Sequence, residues 1–179
     1  DNEKVRKAFQ YANHAMLIQM RHLQDDLSSS RKTRSDSTCL PTDYDYLSPS
    51  SVEGRWYPFQ IGFHLLVLPS IVDHDSPDRD FVDLLWFPTG GGKTEAYLLL
   101  AAFEIFHRRL EYGERGEGTS VITRYTLRLL TLQQFQRSAT FIAACEFIRL
   151  KDPVALGSGP IRLGLWVGME VVPNNYVRA

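Results

Sequence analysis

"LLWFPTGGGKTEAYLLL" spans Leu84 to Leu100 and decides how the rest of the chain is read. Two apolar runs flank Pro88-Thr89-Gly90-Gly91-Gly92-Lys93-Thr94. "FVDLLWF" (81–87) is short, apolar and bounded by turn residues, which predicts a buried parallel strand. From Lys93 to Gly113 the apolar spacing predicts a helix, with His107, Arg108 and Arg109 near its C-terminal end, where the helix dipole favours cations. Glycines between strand and helix let successive backbone N–H groups turn toward one anion without an obstructing Cβ. The helix N-terminus adds unpaired N–H groups and positive potential. Lys93 is placed to reach β- and γ-phosphates, and the Thr94 hydroxyl to ligate Mg²⁺.

The strict phosphate-loop pattern G-x-x-x-x-G-K-[ST] requires glycine where this chain has Phe87. The shorter form T-G-x-G-K-T is complete in Thr89, Gly90, Gly91, Gly92, Lys93 and Thr94. Outward from the loop, "TSVITRY" (119–125) and "IRLGLWVG" (161–168) read as two further strands, and 127–150 as a second long helix. Strand, helix, strand, helix, strand predicts an α/β fold, a parallel sheet with helices on both faces and ligands at the carboxyl ends of the strands. Before it, 59–73 reads as a buried helix closed by Pro69 and "DHDSPDRD". At the start of the chain, Val5, Phe9, Ala12, Met16, Met20, Leu23 and Leu27 predict an N-terminal packing helix. The polar run 28–53 reads as a long connector. The expected organisation is therefore residues 1–53 as helix plus connector, and residues 54–179 as the nucleotide-binding lobe.

Composition sets outer limits. Apolar residues make up 44% of the 179, which is globular rather than disordered. The net charge of -1 gives no global field for nucleic acid, so any such contact must be local. Cys39 and Cys145 have no neighbouring ligands at zinc spacing and read as free thiols of a cytoplasmic protein. No apolar run approaches the roughly 20 residues needed to cross a bilayer.

Candidate functional residues lie on both sides of the loop. Upstream, Gln60 carries an amide that can both donate to and accept from an adenine edge, and Trp56, Tyr57 or Phe59 can stack on the base. Downstream, Arg124, Thr126 and Arg128 offer charge and a hydroxyl to a nucleic-acid backbone. Gln133, Gln134 and Gln136 follow on the helix, at least one of them facing solvent.

T-G-x-G-K-T is the form that motif I takes in superfamily 2 helicases. "GRWYPFQIGF" resembles their Q-motif region, and "SVITRYTLRLLTLQQFQR" stands where their motif Ia belongs, although the usual wording of that motif is absent. In order, "AMLIQMR", "YPFQIGFHLL", "LLWFPTGGGKTEAYLLLAAF" and "RYTLRLLTLQQFQR" resemble the DrmA helicases of DISARM anti-phage defence systems, over most of residues 9–175. The resemblance implies the first RecA-like lobe of a P-loop NTPase that binds ATP and Mg²⁺, engages DNA and works with a DrmB-type partner. It places ATP on Gln60, Thr89, Gly90, Gly91, Gly92, Lys93, Thr94 and Glu95. It assigns Lys93 and Thr94 to catalysis, with Thr94 on Mg²⁺, and Arg124, Thr126 and Arg128 to DNA.

Such enzymes also need an Asp-Glu pair after a further strand. No such tetrad occurs here, and Glu170 lacks a preceding Asp. The chain is therefore expected to be part of a larger enzyme and inactive alone. Two other readings remain open at this stage: a different P-loop ATPase, or an ATP-gated DNA-binding scaffold module.

Overall fold

The computed structural model describes residues 2–29, 55–88, 90–124 and 128–166. Five helices are present among them. They are α1 (Asn2–Ser29), α2 (Pro58–Val72), α3 (Lys93–Tyr112), α4 (Arg128–Lys151) and the short α5 (Pro153–Leu156), with 3-10 turns at Pro77–Asp80 and Gly113–Gly116. No helix among the described residues is long and apolar enough to cross a membrane.

Helix α3 is the centre of the fold. Ala96, Leu98, Leu99, Ala102, Phe103 and Phe106 are all buried. Helix α1 lies against it and also against α4. Ala8, Ala12 and Ala15 recur at three- and four-residue steps on α1 and are fully buried in the cluster that α1 shares with α3, where Tyr11 also meets Phe106 at 5.3 Å between ring centroids. Phe141, Ala144, Cys145 and Ile148 of α4 complete the same apolar cluster. The N-terminal packing helix expected from the sequence is therefore present. Cys145 is a free, fully buried thiol whose ionisation burial makes harder, while Cys39 lies outside the described residues.

The expected α/β fold, a parallel sheet with helices on both faces, is not what forms: the described residues contain no strand. The physical reason is visible on α3. The face that a sheet was expected to cover is buried by α1 and α4 instead. Among the described residues the run 81–87 has no ladder partner, and Val82 and Trp86 are 95% and 86% exposed. Ile122 in the second expected strand is 87% exposed, and Trp166 in the third is fully exposed. A short apolar run cannot by itself distinguish a strand from an irregular segment, and here strand pairing does not follow from apolar content.

Pro69 also behaves differently from expectation. It lies inside α2, which continues to Val72 and ends where the Asp73 N–H donates to Pro69 O at 2.9 Å. Below it on the same helix, His64 is completely buried between α1 and α3. Its ring centroid is 5.4 Å from that of Phe9 and 5.8 Å from that of Phe103. Burial lowers its pKa from 6.5 to about 4.

The folded chain thus holds His64 neutral while the unfolded chain takes up a proton first. The resulting stability is fully present above pH 6.5 and is lost as pH falls from 6.5 toward 4. Between pH 7.5 and pH 5 the expected loss from this group is about 2 kcal/mol. Denaturant unfolding of a His64→Leu variant should show that increment of pH dependence removed. An unchanged pH slope would refute the assignment.

Candidate phosphate-binding site

The site begins at the N-terminus of α3. Gly92 is its N-cap, with φ 83° and ψ 22°, and Gly90 also has a positive φ of 84°. Both conformations are disfavoured for residues with a Cβ. The Gly91 N–H donates to Pro88 O at 3.2 Å and closes the turn. Lys93, Thr94 and Glu95 form the first turn, whose N–H groups have no acceptor four residues back within the helix. The Lys93 ammonium folds back across the loop and donates to Phe87 O and, at 2.9 Å, to Pro88 O. The result is a glycine turn, a helix N-terminus and a lysine converging in one place.

Gln60 is brought to this loop across a sequence gap of about thirty residues. It is buried at 3% exposure. Its Oε1 accepts from the Tyr57 N–H at 2.8 Å, which stabilises the start of α2. Its Nε2 donates to Gly92 O at 2.8 Å. One side chain thus joins the first turn of α2 to the cap of α3. A Cβ placed on Gly92 would lie 2.8 Å from that same Nε2.

An aromatic row lies beside the loop. The Tyr57 and Phe59 rings stack at 6.1 Å between centroids, and those of Phe59 and Phe87 at 3.9 Å. Tyr57 is mostly exposed. Phe59 therefore lies between Tyr57 and Phe87 in a stack, and Tyr57 is its more exposed end.

Side chains of α4 reach the first turn of α3. The Tyr97 hydroxyl is 3.2 Å from Thr94 Oγ1 and 3.2 Å from Gln134 Oε1. Glu95 pairs with Arg137 through Oε1 and Nη2. Gln133 and Gln136 are exposed, as the sequence suggested for at least one glutamine of this run.

Arg124 is exposed and lines an open cleft of about 550 Å³ with Tyr97, Arg79, Arg108 and Glu104. Burial raises the Glu104 pKa, and Arg108, Arg79 and His74 partly offset the rise. Thr89 and Thr126 lie outside the described residues, and Arg128 is the first residue of α4. Among the described residues no cluster of three or more His, Cys, Asp or Glu could hold a metal alone. The Thr94 hydroxyl fits the role of one Mg²⁺ ligand, the rest coming from phosphate oxygens and water.

Tyr97 and Arg137 did not emerge from the sequence as site residues. Tyr97 stands three residues after Thr94, a spacing that places both on one helix face, so it was within reach of a periodicity argument. Arg137 pairs across 42 positions, and nothing local signals that contact.

The chain is 42% identical, over 179 residues, to "DISARM protein DrmA" of Bacillus paralicheniformis. Over this stretch the chain is similar to that DrmA protein. The match takes in 97% of this chain but only 15% of the length of that DrmA protein, so the loop, α2 and α3 all fall within the DrmA-like stretch. No protein-family model matches the chain.

The glycine positions make an ordered prediction. Gly90→Ala has open space and carries only the left-handed backbone cost, about 1–2 kcal/mol. Gly92→Ala adds a collision with Gln60 and should cost roughly 1 kcal/mol more. Urea midpoints of the two variants check the order, and equal losses would mean that Gln60 does not hold the cap.

Proposed function

We propose that this chain carries the ATP-binding part of a DNA helicase or translocase that acts in anti-phage defence. The observation that carries the reading is the convergence of Gly90, Gly91, Gly92, Lys93 and Thr94 with Gln60, Tyr57 and Phe59 at the start of α3. Similarity to a DrmA protein supports the defence role and work within a multi-protein system; a DrmB-type partner is part of the proposal.

In this reading the first-turn N–H groups of α3 and the glycine turn hold the β- and γ-phosphates. Lys93 gives up its carbonyl acceptors and neutralises phosphate charge. Thr94 supplies a hydroxyl ligand to Mg²⁺, and the metal when bound offsets charge on the transferring phosphoryl group. The Tyr57–Phe59 surface takes the adenine face. Gln60 retains one amide hydrogen beyond its bond to Gly92, which an adenine acceptor can use. Arg124, Thr126 and Arg128 contact the DNA backbone, and salt weakens that contact. The base that orients water, and the second lobe that completes the ATP site, belong to the rest of the protein.

The test uses the full-length protein. Lys93→Ala should lower DNA-stimulated ATP hydrolysis by about 100-fold or more. Undiminished turnover would overturn the proposal. ATP binding that changes DNA affinity without any turnover in the unaltered protein would instead establish a gated scaffold.

A further inference from the structure

We propose that Phe87 is a positioning residue for the nucleotide base: its ring backs Phe59 and so fixes the aromatic row on which adenine stacks. The inference rests on the nucleotide-binding reading above and deepens it. Phe87 stands where the strict phosphate-loop pattern has glycine, and so where that pattern has no side chain at all.

Phe59 and Phe87 come from different parts of the fold. Phe59 is the second residue of α2, whereas Phe87 precedes the glycine turn. Their ring centroids are 3.9 Å apart and their planes differ by 23°, so the two rings meet face to face. Tyr57 is the more distant neighbour, at 6.1 Å from Phe59, and it is 61% exposed. The closer ring contact on Phe59 is therefore the one that comes from the loop. With glycine at position 87 that contact is lost, and the Phe59 side chain gains rotamer freedom in the first turn of α2.

The backbone of Phe87 is itself restrained. Pro88 confines the residue before it to extended conformations. Phe87 O accepts from the Lys93 ammonium. One residue thus meets both ends of the expected ligand. Its carbonyl holds the lysine that reaches phosphate, and its ring holds the row that takes the base. The second role depends on a side chain and the first does not, so a substitution at 87 separates them.

The test uses the intact protein with Mg²⁺ and measures displacement of a fluorescent ATP analogue by ATP and by inorganic tripolyphosphate. The ratio of the two dissociation constants reports what the nucleoside adds. Phe87→Leu keeps apolar bulk but removes the ring. It should cut that ratio about five-fold, with tripolyphosphate affinity within about two-fold of the unaltered protein. Phe87→Tyr keeps the ring and should retain the ratio. In a Phe59→Leu background, Phe87→Leu should reduce the ratio no further, because Phe87 acts through Phe59. An unchanged ratio in Phe87→Leu, or the same loss in the Phe59→Leu background, overturns the inference and leaves nucleotide binding standing. If the unaltered protein does not bind the analogue, the nucleotide reading itself fails and this inference with it.

Discussion

The close approach of α1 to α3 is the contact on which the rest of the structure depends. Ala8, Ala12 and Ala15 let the two helices meet along their lengths, and α4 closes the other side. Fixing α3 in this way fixes the direction of its N-terminus. The first turn of a helix is useful to an anion only when the helix cannot swing, because its N–H groups act together through alignment. Larger residues at the alanine positions would push α1 outward and loosen the element that carries the loop.

A second layer of control comes from side chains that join elements at the loop. Gln60 ties α2 to Gly92, Arg137 ties α4 to Glu95, and Trp56 Nε1 donates to Asn13 of α1 just before α2 begins. The glycine turn is permissive by nature, and these bonds select one of its many conformations. That division of labour explains why the motif alone is short: flexibility lies inside it, and its restraint lies outside.

The sequence made the helices legible because their apolar spacing is regular over long spans, as in α1 and α3. It also made the turn legible, since positive φ at Gly90 and Gly92 and a helix start at Lys93 fall where the three glycines stand. Tyr57, Phe59 and Gln60 were named from order along the chain, and the fold does bring them beside the loop. What the sequence misjudged was the sheet. Runs such as "FVDLLWF" carry apolar content but no information on what pairs with them, and helix α1 covers α3 instead. The Arg137–Glu95 pair was equally hidden, since a contact made across tertiary structure leaves no local spacing to read.

Lys93 already has two acceptors, Phe87 O and Pro88 O, in its own loop. Meeting a phosphate is then an exchange and not a simple gain, and its net value is the difference between two sets of bonds. On the proposed nucleotide-binding reading, a ligand has to offer Lys93 more than the two carbonyls it already holds, which a polyphosphate that also engages the N–H groups of α3 would do. Selectivity against the common small anions of the cell would follow from the lysine being occupied beforehand, with no dedicated group to exclude them.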